Sequence, residues 1–208
     1  MLPGNEPPAG AAQPAARPAA LPAPGLVNAA NALTVLRLLL VPVFVACLVA
    51  GGPGWRIAAF VAFGVASFTD LLDGRIARSR GLITDFGKIA DPIADKALTG
   101  SALVTLSVLG ELPWWVTAVI LAREISVTAL RFWVIRRGVI AASRGGKLKT
   151  LLQVVAITLY VLPGPLGVAR VVVMAAAVAV TVVTGVDYGI RAVRLHRRPP
   201  RERRGATP

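Results

Sequence analysis

Apolar residues run along this chain in long blocks, parted by short breaks rich in Gly and Pro or in Arg and Lys. Blocks of about 20 residues are what an α-helix needs to cross the hydrocarbon core of a bilayer. They predict six helices, near 31–51, 55–79, 86–110, 113–137, 147–163 and 165–192. Three breaks carry helix-stopping residues: "GGPGW" at 51–55, "GELP" at 110–113 and "LPGPLG" at 162–167. The expected fold is therefore an all-α integral membrane protein with six transmembrane helices.

The ends of the chain read differently. Residues 1–27 form a Pro/Ala tract with few bulky apolar side chains. Such a tract cannot offset its ordering entropy, so a disordered tail is expected. It lacks the basic start and apolar core of a signal peptide. This leaves a six-helix domain over 28–195 and a basic tail over 196–208.

Composition then narrows the class. With 55% hydrophobic and 16% charged residues and a mean hydropathy of +0.68, an ordinary soluble domain is excluded. A net charge of +13 could suggest nucleic acid as a partner. The basic residues instead lie at the ends of apolar blocks, so anionic membrane lipids and an anionic substrate fit better, and no nucleic acid is expected. Arg75, Arg78, Arg80 and Lys88 stand between the second and third helices. Arg136, Arg137, Arg144, Lys147 and Lys149 stand between the fourth and fifth, while the alternate turns hold little beyond Arg56, Glu111 and Arg170. The positive-inside rule thus places both termini in the cytoplasm. The composition suits a bacterial chain and hence a bacterial plasma membrane. Cys47 is the single cysteine, so an intrachain disulfide is impossible.

One polar stretch interrupts this pattern. Residues 70–95 read "DLLDGRIARSRGLITDFGKIADPIAD", with Asp70 and Asp73 at the cytoplasmic end of the second helix and Asp91 and Asp95 at the start of the third. A carboxylate at the centre of a membrane helix costs roughly 2.5–3.5 kcal/mol. At about 100° per residue, Asp70, Asp73, Gly74 and Ala77 share one helical face, and Gly87, Asp91 and Asp95 form a second stripe. Any one aspartate could pair with Arg75, Arg78, Arg80, Lys88 or Lys96. Four converging on one place, with small residues on the same faces, call for a divalent ion. Oxygen-only donors without nearby His or Cys point to Mg²⁺ or Mn²⁺. Arg78 adds a fork suited to phosphate. The chemistry implied is metal-assisted phosphoryl transfer at a membrane surface. Asp85 lies off the stripe and reads as a helix cap.

These residues resemble the CDP-alcohol phosphatidyltransferase family, whose signature D-x2-D-G-x2-A-R-x8-G-x3-D-x3-D is matched by Asp70, Asp73, Gly74, Ala77, Arg78, Gly87, Asp91 and Asp95. The resemblance implies that family's six-helix bundle, a homodimer, and two divalent ions held by Asp70, Asp73, Asp91 and Asp95. It makes Asp95 the general base that deprotonates the acceptor alcohol before attack on the β-phosphorus of CDP-diacylglycerol, with CMP leaving. It also implies CDP-lipid contacts at Gly74, Arg78 and Thr84. The stretch "NALTVLR" resembles the start of the family's first helix and adds Asn31 and Thr34 to those contacts. An N-cap Asn and a lone helical Thr would be their ordinary reading.

The acceptor is read from the second half of the chain. "LAREISVTALRFWVIRRGVIAASRGGKLKTLLQ" is similar to the branch of the family that takes glycerol 3-phosphate, through Arg123, Glu124, Arg131, Ser143, Gly146, Lys147, Lys149, Thr150 and Gln153. That branch often has an acidic residue after the Arg of "RFW", and this chain does not. Arg123, Lys147 and Lys149 become the candidate acceptor-phosphate contacts. Arg123 lies deep in its helix and requires a partner. Glu124 and Arg131, seven residues apart on one face, are expected to pair with each other. Phosphatidylglycerol or inositol phosphate as acceptor remains open, as in a cardiolipin synthase or a phosphatidylinositol phosphate synthase. A divalent-cation transporter would explain the carboxylates but not Gly74, Ala77 and Arg78. Trp114, Trp115 and Trp133 read as interfacial anchors, and His196 as a solvated tail residue.

Overall fold

A computed structural model describes residues 29–80, 85–134 and 144–197; at 29–30, 71–80, 85–92, 131–134, 144–145, 147 and 195–197 only the backbone is described. The Pro/Ala tract, Thr84, Ser143, Arg136, Arg137 and the end of the basic tail lie outside the described residues.

Six helices follow in order: α1 (Ala29–Ala50), α2 (Gly52–Arg80), α3 (Asp85–Val108), α4 (Trp114–Val134), α5 (Arg144–Val161) and α6 (Gly167–Arg197). Each agrees with a hydropathy block to within a few residues, and the described residues contain no strand. Their ends follow from local chemistry. α3 closes on Gly110, whose φ of 74° only glycine adopts freely. There the Glu111 N–H donates to the Leu106 carbonyl at 3.0 Å and the Gly110 N–H to that of Ser107 at 3.1 Å. This paired arrangement satisfies carbonyls that a helix end leaves open. Pro113 then precedes α4.

The first break is shorter than the sequence suggests. α1 and α2 are parted by Gly51 alone (φ 69°), and Pro53 sits inside the first turn of α2. Proline is tolerated there because the N–H it lacks would have no helical acceptor. Asn31 is likewise the third residue of α1, which begins at Ala29, so it is not an N-cap. Asp85 opens α3, where a cap was expected.

The bundle packs α1 against α2 and α3, and α6 against α4 and α5, with α2–α5 and α3–α4 contacts joining the two groups. Phe44 and Phe63 meet at its centre with ring centroids 5.5 Å apart, among Leu48, Leu103, Leu106, Ile120, Ile157 and Val161, all essentially inaccessible. The Ser107 and Thr117 hydroxyls bond across α3 and α4 at 2.7 Å, and Thr117 also donates to the Leu103 carbonyl at 3.2 Å. Each buried hydroxyl thus keeps a partner, which avoids an uncompensated desolvation cost.

The outer surface is apolar. Leu39, Val43, Phe68, Val168, Val172 and Val183 are each at least half exposed, a pattern that water-soluble monomers avoid. Asn31–Ala50 and Gly167–Arg194 are long and apolar enough to cross a membrane, and most of each faces outward. The chain is a membrane protein. Trp55, Trp114 and Trp115 are exposed around the end of the bundle that carries the α1–α2 and α3–α4 turns, as interfacial anchors would be. The Trp133 side chain lies outside the described residues.

Candidate active site

The opposite end of the bundle gathers the charges. α1 enters it with Asn31, Thr34 and Arg37, all buried. Arg37 is fully inaccessible, and its guanidinium meets the Asp70 carboxylate of α2 at 2.7 Å. Asp70 itself is partly open, its side chain 39% exposed. The carboxylate is therefore fixed from the bundle side and partly exposed on the other. Sequence reasoning passed over Arg37, although a lone cation within an apolar helix signals that a partner is waiting on a neighbouring helix. The side chains of Arg75, Arg78, Arg80 and Lys88, cations nearer in sequence, lie outside the described residues.

Across from it on α3, Asp95 lies within electrostatic reach of Asp70, Lys96, Glu124 and Lys149. Two carboxylates that repel one another at a partly open site are suited to a hard cation. Asp73 and Asp91 stand on α2 and α3 one helical turn from Asp70 and Asp95, on the same faces. Their side chains, with those of Arg78 and Lys147, lie outside the described residues. Among the described residues no three His, Cys, Asp or Glu side chains gather as a metal site, because only Asp70 and Asp95 of the expected four are among them. The donor chemistry of these two fits a magnesium-like ion.

Beside the carboxylates is a cationic cluster centred on Glu124 of α4. Its carboxylate is paired with Lys149 of α5, with Lys96 of α3 at 3.4 Å and with Arg123 at 3.3 Å. Glu124 is thus held from three directions; the Arg131 side chain, its expected partner, lies outside the described residues. The Lys149 side chain is 7% exposed; a buried ammonium needs such a partner. Three cations around one carboxylate leave an excess of positive charge next to the aspartates. Gln153, one turn beyond Lys149 on α5, is also buried, and its Nε2 has no partner among the described residues.

Arg123 has the partner its depth requires. Besides Glu124, it donates to the Thr184 hydroxyl of α6 at 3.2 Å. It lies flat across α6 over Gly185, where an added Cβ would come within 2.9 Å of the Arg123 Cγ. Its Nε is buried with no partner among the described residues. Sequence reasoning missed Thr184 and Gly185; a Thr-Gly step inside an otherwise Val- and Ala-rich helix was their signal.

A carboxylate pair tied to a cation cluster at one end of a helical membrane bundle agrees with the signature in the sequence. The family model described as CDP-alcohol phosphatidyltransferase matches residues 27–183. The chain belongs to this family. As a CDP-alcohol phosphatidyltransferase it is a transferase of phospholipid biosynthesis. Among curated relatives, a probable phosphatidylglycerophosphate synthase of Mycobacterium tuberculosis is 59% identical over 174 residues, covering 81% of this chain and 83% of the relative. The CDP-diacylglycerol–glycerol-3-phosphate 3-phosphatidyltransferase of Bacillus subtilis is 36% identical over 181 residues, covering 78% and 94%. Its Escherichia coli counterpart is 39% identical over 136 residues, covering 62% and 74%. Members of this family generally use a divalent metal.

Proposed function

We propose that the chain transfers a phosphatidyl group from CDP-diacylglycerol to glycerol 3-phosphate, releasing CMP and forming phosphatidylglycerophosphate. The observation that carries this reading is the junction of Asp70 and Asp95 with the Lys96–Glu124–Lys149–Arg123 cluster. One part suits a metal-held diphosphate and the other a small dianion. Asp70, Asp73, Asp91 and Asp95 would hold two Mg²⁺ or Mn²⁺ ions, which neutralise charge on the transferring group. Asn31, Thr34, Gly74, Arg78 and Thr84 would hold the CDP-lipid. Arg123, Lys147 and Lys149 would hold the acceptor phosphate, for which the Arg123 Nε, without a partner among the described residues, is available. Asp95 takes the proton from the acceptor hydroxyl. The oxygen so activated attacks the β-phosphorus, and the bond to CMP breaks.

In this reading residues 28–195 are a six-span catalytic domain in a bacterial plasma membrane. Both termini and the site are cytoplasmic, the tails lie outside the catalytic domain, and the assembly is a homodimer. Purified chain in detergent should release CMP only when CDP-diacylglycerol, glycerol 3-phosphate and Mg²⁺ are all present. CMP release at the same rate without glycerol 3-phosphate would contradict it. The variant Asp70→Asn should raise the Mg²⁺ concentration for half-maximal rate by about tenfold or more, measured by metal titration. An unchanged titration would remove Asp70 from the metal set.

Gly185 gives a sharper test of the acceptor side. Alanine inside a helix is favoured over glycine by about 1 kcal/mol, so Gly185→Ala carries no propensity cost. The new methyl must nevertheless displace Arg123. The KM for glycerol 3-phosphate should rise several-fold while that for CDP-diacylglycerol stays constant. Equal changes in both would mean that Arg123 does not serve the acceptor.

A further inference from the structure

The end of the bundle opposite the aspartates holds a second cationic place, which the transfer chemistry does not use. Gly52, Pro53 and Arg56 from the start of α2, Pro163 and Gly164 of the α5–α6 turn, and Arg170 of α6 line a cavity of about 320 Å³. A Cβ added at Gly52 or Gly164 would meet nothing within 4 Å, so this wall is open backbone. Its two guanidinium groups differ. Arg56 is engaged: it donates to the Tyr160 carbonyl at 3.1 Å and pairs with Glu111, the one carboxylate facing this place among the described residues. Arg170 lies 5.5 Å from the centre of the Tyr160 ring, and no carboxylate lies within ion-pair distance of it among the described residues. Two arginines and one carboxylate leave a net positive charge beside the cavity. A cation is thereby repelled, and an apolar ligand would strand the guanidinium donors. Phosphate, with oxygens matched to the guanidinium fork, suits the site.

We propose that this cavity binds one phosphate group, anchored by Arg170. The group comes either from the headgroup of an anionic phospholipid or from free phosphate. The lipid source rests on the six-span reading, which sets this cavity at the headgroup level of the leaflet opposite the active site.

The test uses the full chain in a neutral detergent and compares wild type with Arg170→Gln and Arg170→Lys. Phosphatidylglycerol, phosphatidylcholine and inorganic phosphate are titrated separately, with lipid retention followed by native mass spectrometry and phosphate binding by thermal shift. Transferase activity is recorded throughout and should be unchanged in both variants, which also shows that they fold. Loss of a charged hydrogen bond corresponds to about tenfold in affinity. The expected result is roughly tenfold weaker phosphatidylglycerol retention in Arg170→Gln, recovered only in part in Arg170→Lys, which restores the charge but not the fork, with phosphatidylcholine indifferent to either change. An Arg170-dependent shift with inorganic phosphate alone would assign the site to free phosphate. Identical behaviour of wild type and Arg170→Gln with both phosphatidylglycerol and phosphate would overturn the proposal. Reaction of a Gly167→Cys variant, at the exposed start of α6 beside this cavity, with an impermeant thiol reagent in intact cells checks the topology separately. Labelling only after lysis would move the cavity to the cytoplasmic side and leave the phosphate assignment to the binding data.

Discussion

Asp95→Asn should lower turnover by at least about a hundredfold while CDP-diacylglycerol binding is retained. General bases contribute on the order of 10²–10⁴ to rate, and asparagine keeps the shape of aspartate while losing its basicity. Asp95 stands where both substrates would meet, within electrostatic reach of Asp70 on one side and of Lys96, Glu124 and Lys149 on the other. Lipid binding measured alongside turnover separates the two roles proposed for this residue. Loss of turnover with binding intact marks the proton-transfer role, and equal loss of both marks a metal ligand first. Near-normal turnover would exclude Asp95 as the base.

The largest effect on stability is expected at Glu124. Replacing it by glutamine keeps the side-chain volume but leaves Lys149, Arg123 and Lys96 without their shared carboxylate. Breaking a buried ion pair from one side costs on the order of 3–5 kcal/mol, and Lys149 is the most buried member here. Thermal unfolding in detergent should shift down by several degrees, with the KM for glycerol 3-phosphate raised. The cycle with Lys149→Met is the informative control. If the pair couples as the structure has it, the double variant is clearly more stable than the sum of the two single losses. Strict additivity would mean that Glu124 and Lys149 do not interact.

Much of the bundle was legible in the sequence because the signals are local. Gly110 and Pro113 stop and restart the chain by their own backbone restrictions, and the apolar blocks report helix length directly. What escaped depends on contacts between helices. Pro53 looked like a breaker, yet the first turn of a helix accommodates it. Lys96 and Lys149 reach Glu124 from α3 and α5, contacts that reading α4 along its own length does not show. Arg37 was hidden for the same reason, since its meaning lies in Asp70, 33 positions away. The aspartate signature was legible because its members flank a short connection, so helical periodicity alone places them on facing stripes. The cation cluster joins three helices, α3, α4 and α5, with Arg123 reaching a fourth, and no local period encodes that.

The most direct test of the central claim is a competition in one vessel. Purified chain receives CDP-diacylglycerol, Mg²⁺ and equal concentrations of glycerol 3-phosphate, inositol phosphate and phosphatidylglycerol, and the lipid products are identified by mass. The account predicts phosphatidylglycerophosphate as the dominant product, formed one for one with CMP. Dominant cardiolipin or phosphatidylinositol phosphate would contradict it, and would assign the Arg123–Glu124–Lys149 cluster to a different acceptor.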